Sequence, residues 1–215
     1  MNKTDYSCVC VNIDKAYISR KLVILMKTTK DIYKEFVDHA KVRNTCPRTL
    51  ELQCVQFECD GTYIIPNFAS TEYDDKWYLK YYEPRIMSNH IIEAKTHRFI
   101  SQYEYVISKL TSDEYTRQAM LIMTSENEYA RDGLMMCLVS MQYLLDGYEL
   151  KTFITMRSSD IYRFHQDLIW QLKIRDKIAA DISAKLNRNI RCANIVWNVG
   201  SLHLYERYWN LLQKN

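Results

Sequence analysis

The strongest constraint on the fold is a pair of strand-like runs on either side of Asp146-Gly147. Leu138–Leu145 is strand-like, and Tyr148–Met156 is rich in β-forming residues. An Asp-Gly pair between two such runs predicts a β-hairpin with a tight turn, because glycine adopts positive φ without steric cost. The chain is therefore expected to contain a sheet built around this hairpin.

Apolar spacing predicts further elements along the chain, with helices at 3.6-residue and strands at two-residue periodicity. The predicted helices are Asp31–Lys41, Phe99–Leu110 and Leu168–Leu186. The predicted strands are Leu50–Glu58, Thr62–Ile65 after an Asp60-Gly61 turn, Ala119–Met123 and Arg191–Val199. Gly200 is expected to end the last strand, Ser201 to act as a cap, and Leu202–Leu212 to form a closing helix.

These elements mix helices and strands without a regular alternation, which favours an α+β fold with a mixed sheet packed by helices. The length of 215 residues suits one domain spanning residues 1–215. Hydrophobic residues make up 47% of the chain, enough to bury a core. We expect one globular unit.

Charge and glycine content exclude several functional classes. The net charge is only +3, from 29 basic and 26 acidic residues, so no large field for nucleic acid or for a membrane surface is expected. The four glycines are far apart, which excludes a glycine-rich phosphate loop. No run approaches the length of a membrane span, and Met1–Asp14 does not resemble a secretory signal.

The cysteines indicate a reducing compartment. Seven are scattered without a CxxC pair, and the five histidines are widely spaced, so no metal site is predicted. We expect a cytoplasmic protein with free thiols. Cys8 and Cys10 would share one face of a strand, which is typical of core packing.

The predicted hairpin brings one thiol close to one guanidinium. Cys137 and Arg157 stand 20 residues apart, on either side of the turn, so the strands would bring them together. A positive charge beside a thiol favours the nucleophilic thiolate. Arg157 with Ser158 and Ser159 also offers the donors that a phosphate requires. By itself, a cysteine between apolar neighbours is more typical of core packing.

Several motifs occur in the order and spacing of a known family. Met156-Arg157-Ser158-Ser159-Asp160 follows Cys137, and Ser201-Leu202-His203-Leu204-Tyr205 comes later. The chain resembles the thymidylate synthase / deoxycytidylate hydroxymethylase superfamily, which has a nucleophilic Cys, an Asp-Gly hairpin, an Arg-Ser-x-Asp phosphate motif and a late His-x-Tyr. Further matches are Gln142, Thr116-Arg117-Gln118 and Asp74-Asp75-Lys76-Trp77-Tyr78-Leu79.

The resemblance implies a role for each matched residue. Cys137 would add to C6 of a pyrimidine nucleotide, with 5,10-methylenetetrahydrofolate or a related pterin as the one-carbon donor. Substrate contacts would come from Arg157 and Ser158 at the phosphate, His203 and Tyr205 at the sugar, and Gln142 and Asp160 elsewhere. Asp74 would organise water and proton transfer. The family forms homodimers, so a sheet face would pair with a second subunit, and Arg117 would reach the partner's phosphate. Arg48 is a further candidate phosphate ligand, although a lone Arg in a loop is more typical of surface charge.

One side chain of the family reads the base, about eight residues after the motif's aspartate. Asp167 lies seven positions after Asp160, and Gln166 is its neighbour. Asp suits the N4 amino group and N3 of cytosine, whereas Gln suits uracil. We favour Asp167 and deoxycytidylate (dCMP). Asp167 as the cap of a helix beginning at Leu168 is the structural alternative.

The chain departs from the family at several positions, and these departures keep two alternatives open. Leu138 follows the cysteine in place of His, Gln118 replaces a second Arg, and Asp74 replaces a Glu. The chain ends ten residues after Tyr205, as in short viral and archaeal members. The expected function is hydroxymethylation of dCMP. The alternatives are modification of deoxyuridylate (dUMP), as by thymidylate synthase, and a degenerate nucleotide-binding protein without catalysis.

Overall fold

The fold is built on one mixed sheet of six strands. A computed structural model describes residues 29–45, 47–59, 70, 74–93, 96–124 and 135–212. The sheet strands are β1 (Lys41–Arg43), β2 (Thr49–Cys59), β5 (Met120–Ile122), β6 (Leu138–Asp146), β7 (Glu149–Asp160) and β8 (Arg191–Tyr205), in the spatial order β1-β2-β8-β7-β6-β5. Two short strands, β3 (Ile91–Ile92) and β4 (Phe99–Ile100), pair separately. The predicted turn at Asp60-Gly61, the strand Thr62–Ile65 and the pair Cys8 and Cys10 lie outside the described residues.

Helices cover one face of the sheet. They are α1 (Thr29–His39), α2 (Lys76–Tyr81), α3 (Glu83–Met87), α4 (Gln102–Ser112), α5 (Phe164–Leu186) and α6 (Trp209–Leu212), with a 3-10 turn at Glu206–Tyr208. The long α5 packs on β7 and β8, α4 on β5 and β6, and α1 on β2. Between these layers lie the largest buried side chains, including Trp197, Phe57 and Tyr143.

The predicted hairpin is confirmed. Strands β6 and β7 pair antiparallel from Leu138 opposite Met156 to Asp146 opposite Glu149. Gly147 holds the turn at φ +59°, a conformation that other residues adopt only at a steric cost. The second strand continues four residues beyond the prediction, to Asp160.

Strands β7 and β8 run parallel and are joined through helix α5. A parallel pair requires such a crossover, so this unit is a βαβ element in an otherwise antiparallel sheet. The α+β class is thus confirmed. Helix α5 is followed by its C-cap residue, Asn187, which takes the left-handed conformation at φ 48°.

The prediction for the end of the chain is wrong. Gly200 does not end the strand and Ser201 is not a cap, because β8 continues to Tyr205. Of the helix predicted at Leu202–Leu212, only the last turn, Trp209–Leu212, is α-helical. A Cβ at Gly200 would lie 2.8 Å from the Arg157 carbonyl oxygen on the neighbouring strand. This glycine therefore allows β7 and β8 to approach each other closely.

The other predicted elements are mostly confirmed, with shifted ends. Helix α4 begins at Gln102 because Ser101 and Glu104 form a capping box, so Phe99 lies before the helix and is exposed. The strand predicted at Ala119–Met123 is present as the edge strand β5. Val37, expected on the apolar stripe of α1, is 56% exposed.

Candidate active site

The hairpin brings Cys137 and Arg157 together, as their spacing predicts. The Arg157 backbone N–H donates to the Cys137 carbonyl oxygen at 2.8 Å. The next residue, Ser158, donates its hydroxyl to the Cys137 Sγ at 3.5 Å. Cys137 is only partly buried, so its sulfur combines solvent access with a polar neighbour. Those properties are typical of a reactive thiol rather than of a core cysteine.

The Arg157 guanidinium holds the segment that leads to the thiol. It donates from Nε to the Met136 carbonyl at 3.1 Å and from Nη2 to the Met135 carbonyl at 2.7 Å. From Nη1 it donates to the Ser158 hydroxyl at 3.2 Å, so a polar chain runs from Arg157 through Ser158 to the sulfur. These bonds use three of the five guanidinium N–H groups, and two remain for an anion.

The parallel strands place three further candidates beside this pair. Asp160 lies opposite His203 across β7 and β8, and the His203 and Tyr205 rings meet edge to face at 5.0 Å. Burial raises the pKa of Tyr205, and the negative charges of Asp160 and Cys137 add to this effect. The hydroxyl of Tyr205 therefore lies within electrostatic range of the thiol.

Asp167 lies within the first turns of α5, with its carboxyl fixed from two sides. The Tyr78 hydroxyl donates to Oδ1 at 2.7 Å, and the Ser159 hydroxyl donates to Oδ2 at 3.3 Å. Burial raises the pKa of Asp167 to about 6, although both hydrogen bonds act in the opposite direction. Helix α5 begins at Phe164, so the alternative of Asp167 as the cap of a helix starting at Leu168 is wrong.

Gln166, the competing base reader, has a different environment. Its backbone N–H donates to the Arg163 carbonyl at 2.9 Å, and the residue is only 8% exposed. The hydroxyl groups of Tyr78 and Ser159 converge on Asp167 instead.

Tyr82 connects the Asp167 carboxyl with the thiol. Its pKa is raised, first by burial and then by the negative charges of Asp167 and Cys137, while a hydrogen bond with the Leu138 backbone opposes the shift. One hydroxyl thus lies within electrostatic range of both groups. Asp167 and Cys137 therefore both lie near Tyr82.

Sequence reasoning assigned no role to Tyr78 or Tyr82, and it suggested Ser159 as a phosphate donor, whereas the buried Ser159 hydroxyl donates to Asp167 instead. Tyr78 and Tyr82 lie four residues apart, a spacing that aligns side chains along one helical face. Their rings lie 5.6 Å apart, and both pack against Trp170 of α5. That spacing was the available signal, but only the tertiary fold shows that α5 places Asp167 against this face.

Asp74 and Arg48 lie at the margin of this cluster. Asp74 is exposed, and its Oδ1 accepts a hydrogen bond from the Lys76 N–H at 3.0 Å, one helical turn before Tyr78. Arg48 forms an ion pair with Glu206 at 2.6 Å and lies over the Trp209 ring at 5.3 Å. A phosphate at Arg48 would therefore have to compete with Glu206.

Gln142 and Arg117 lie away from the thiol of their own chain. Gln142 is five residues along β6 from Cys137, which corresponds to roughly 16 Å of extended strand. Its side-chain amide donates to the Arg117 carbonyl at 3.0 Å. Arg117 itself is exposed just before β5, the edge strand. These two residues mark a second location, on the sheet rather than at the cysteine.

Among residues that the structure describes, no cluster of His, Cys, Asp or Glu could hold a metal ion. Within the same part of the chain, every helix is too short or too polar to cross a membrane.

The fold has a clear relative among solved structures. The thermostable thymidylate synthase A from Bacillus subtilis superimposes with a TM-score of 0.61 at 13% sequence identity, over 86% of this chain and 81% of that enzyme. The fold is that of a thymidylate synthase. No protein-family model matches the sequence.

Curated relatives match about half of the chain. Deoxycytidylate 5-hydroxymethyltransferase of Enterobacteria phage T4 is 32% identical over 119 residues, which are 52% of this chain and 48% of that enzyme. Thymidylate synthase of Fusobacterium nucleatum is 27% identical over 112 residues, which are 52% of this chain and 39% of that enzyme. The chain thus spans about half the length of the curated relatives it matches, or less. The sequence similarities and the fold thus point to the same group of enzymes, the thymidylate synthases and deoxycytidylate hydroxymethyltransferases, as the proteins that this chain resembles.

Proposed function

We propose that this protein transfers a one-carbon unit to C5 of a pyrimidine nucleoside monophosphate, and that its reaction is hydroxymethylation of dCMP. The observation that carries the proposal is the Arg157–Ser158–Cys137 chain of hydrogen bonds, in which a half-buried thiol lies beside an anion-binding group. The similarity to deoxycytidylate hydroxymethyltransferases supports the choice of reaction.

The thiol would act as the nucleophile. Its sulfur adds to C6 of the base, which forms the S–C6 bond and makes C5 nucleophilic. After C5 bonds to the one-carbon unit, the C5 proton must leave, and Asp74 is the proposed organiser of the water that accepts it. The bond between the transferred carbon and the donor nitrogen would then break, with tetrahydrofolate leaving as it takes up a proton. Water would add its hydroxyl group to that carbon as the S–C6 bond breaks, which restores the thiol.

Several residues would hold the nucleotide. The two remaining N–H groups of Arg157 and the Ser158 hydroxyl suit the 5′-phosphate, because a planar guanidinium binds phosphate oxygens in pairs. Arg117 of a second subunit would add a further positive charge in a homodimer. His203 and Tyr205, together at the end of β8, would contact the sugar.

The proposed donor is 5,10-methylenetetrahydrofolate, which supplies a carbon at the oxidation level of formaldehyde. Its pterin ring requires a flat aromatic surface, and helix α2 offers one. Trp77 is 54% exposed, and its ring lies 4.1 Å from that of Tyr81. The same helix carries Tyr78, which contacts Asp167. This exposed aromatic pair is the surface that we propose for the donor.

Asp167 is the proposed reader of the base. A carboxyl with a pKa of about 6 is partly protonated near neutral pH, and its protonated form offers one donor and one acceptor side by side. Cytosine presents the matching pair, its N3 acceptor and its N4 amino donor. A carboxyl that donates to N3 and accepts from N4 therefore suits dCMP.

Release of tritium from C5-labelled nucleotide tests the proposal. The full chain is incubated with methylenetetrahydrofolate and labelled dCMP or dUMP, and mass spectrometry then identifies the product. We expect release from dCMP and formation of its 5-hydroxymethyl derivative. Cys137→Ser is expected to abolish release.

Cys192→Ser is the matched control, because Cys192 is also partly buried. It lies beside Asp176, near the start of β8, whereas His203 and Tyr205 lie at the end of that strand. This variant is expected to retain activity. Release from dUMP alone would keep the reaction class and refute the base. Binding of nucleotide without release from either would favour a degenerate binding protein.

A further inference from the structure

A protonated Asp167 carboxyl cannot by itself distinguish cytosine from uracil. A neutral carboxylic acid has one donor oxygen and one acceptor oxygen. Cytosine presents an acceptor at N3 and a donor at N4, whereas uracil presents a donor at N3 and an acceptor at O4. If the proton can move between the two oxygens, the same carboxyl can pair with either base. Discrimination therefore requires that the proton be confined to one oxygen.

Tyr78 supplies that constraint in the structure. Its hydroxyl donates to Oδ1 of Asp167 at 2.7 Å, which marks Oδ1 as the acceptor oxygen. The Ser159 hydroxyl donates to Oδ2 over a longer distance, 3.3 Å, when the carboxyl is ionised, and this hydroxyl can rotate and accept instead when Oδ2 carries the proton. Oδ2 is thus the oxygen that can carry the proton.

The Tyr78 ring is itself fixed. The residue is only 4% exposed, and its ring stacks on Trp170 of α5 at 5.6 Å with an interplanar angle of 15°. The ring of Tyr82 also lies beside the Tyr78 ring, with 5.6 Å between the ring centroids. Because a phenol hydroxyl lies in the plane of its ring, a fixed ring fixes the direction from which Oδ1 receives its hydrogen bond.

We propose that Tyr78 is a specificity-determining positioning residue: it fixes which oxygen of Asp167 accepts and which carries the proton, and so allows this carboxyl to distinguish cytosine from uracil. The inference rests on the proposed function for its choice of nucleotide.

The groups around Asp167 predict how its pKa would change if the Tyr78 hydroxyl were removed. Burial raises the pKa of this carboxyl, the hydrogen bonds from Tyr78 and Ser159 lower it, the charge of Asp160 raises it and that of Arg163 lowers it. Tyr82 also faces it from the end of α2. Removing the Tyr78 hydroxyl removes a bond that favours the ionised form, so the pKa of Asp167 should rise.

Tyr78→Phe removes the hydroxyl and keeps the ring stack. Tyr103→Phe is the matched control, because the Tyr103 hydroxyl donates at 2.8 Å to Asp181, a second aspartate on the same helix α5. Both variants lose one phenol–carboxylate bond to α5, but only the first loses it at the proposed base reader.

Two measurements on the full chain decide the matter. Carbon-13 NMR of labelled aspartate follows the titration of Asp167, and calorimetry gives the dissociation constants of dCMP and dUMP without requiring turnover. Tyr78→Phe is expected to raise the pKa of Asp167 and to reduce the preference for dCMP over dUMP by about tenfold, the effect of one hydrogen bond to a charged or ionisable group. Tyr103→Phe is expected to leave both unchanged.

An unchanged titration or an unchanged binding preference in Tyr78→Phe would overturn the inference, as would a wild-type chain that does not bind dCMP in preference to dUMP. A chain that prefers dCMP in binding but releases no tritium would refute the proposed reaction. The effect of Tyr78→Phe on that preference would still support or overturn the role of Tyr78.

Discussion

At Asp167, burial and hydrogen bonding shift the pKa of one carboxyl in opposite directions. It is partly removed from water, which disfavours its charged form, and it receives two hydrogen bonds, which favour that form. Burial has the larger effect, so the pKa rises from 3.8 to about 6. The carboxyl therefore changes charge within the range of pH at which most enzymes work. The sequence predicted the position of this residue but not its protonation, because burial depends on how α5 packs against α2.

This shift has a consequence for stability. Between about pH 4 and pH 6, folded Asp167 holds a proton that an unfolded aspartate has lost, so raising the pH removes a proton from the folded state only. The free energy of unfolding should fall over this range, by an amount on the order of 3 kcal/mol from this group. Asp167→Asn, which does not titrate, is expected to gain stability relative to wild type as the pH rises. Urea denaturation at a series of pH values measures the difference.

Asp146 provides a control of opposite sign. A hydrogen bond from Lys151 lowers the pKa of this exposed carboxyl, so its contribution to stability is present above the ordinary aspartate pKa and is lost in acid. As the pH rises toward the ordinary aspartate pKa, Asp146→Asn should therefore lose stability relative to wild type. Stability curves of Asp167→Asn and wild type that stay parallel from pH 4 to pH 7 would contradict the burial of a titrating Asp167.

Among the elements, strand β8 shows most clearly what a local pattern can miss. Gly200 resembles a terminator in sequence, since glycine commonly ends strands and begins turns. Its role here is set by the neighbouring strand, because the Arg157 carbonyl would lie 2.8 Å from a Cβ. Contacts between β7 and β8 join residues about 40 positions apart, and no local window contains them. The hairpin and the Cys137–Arg157 pairing were predictable because their turn signal is local.

Gly200→Ala tests this interpretation. The new methyl group meets rigid backbone, so we expect a loss of stability of about 1–3 kcal/mol, as for other overpacked sites. Displacement of Arg157 should also weaken nucleotide binding, because Arg157 holds the segment before the thiol. Denaturant midpoints and dissociation constants for dCMP measure the two effects.

Gly147→Ala is the matched control at the hairpin turn. It meets open space but requires φ +59°, so it should cost stability through backbone strain alone. Nucleotide binding should be retained, since this turn lies at the far end of the hairpin from Cys137. Equal losses of binding in both glycine variants would show that the Gly200 effect is not transmitted through Arg157.

At the scale of the whole molecule, one face of the sheet remains without a helix in the part of the chain that the structure describes. Leu144, Phe153 and Val196 lie on this face and are half-buried, opposite the side that packs against α4 and α5. A sheet face with apolar side chains can pack against the same face of a second copy related by a two-fold axis. Gln142 and Arg117 lie at the same sheet, remote from the thiol of their own chain. The family resemblance is the reason for proposing Arg117 at a partner's site, and the separation within one chain supports that proposal.

Mixing of inactive variants tests this assignment. If Arg117 acts across a dimer, a chain with Cys137→Ser still supplies a normal Arg117, and a chain with Arg117→Ala still supplies a normal Cys137. A mixed dimer then contains one complete site, so random exchange of subunits should restore activity at about a quarter of all sites. Tritium release from dCMP measures the recovery after the two variants are unfolded and refolded together.

The control pairs Cys137→Ser with Arg157→Ala. Arg157 and Cys137 are joined within one chain through Ser158, so each site of that mixed dimer carries a defect and no activity should return. Recovery with Arg117→Ala but not with Arg157→Ala would establish that each phosphate is bound by Arg157 of one subunit and Arg117 of the other. If neither mixture recovers although sedimentation shows dimers, Arg117 does not reach the partner, and the anion is held by Arg157 and its own-chain neighbours.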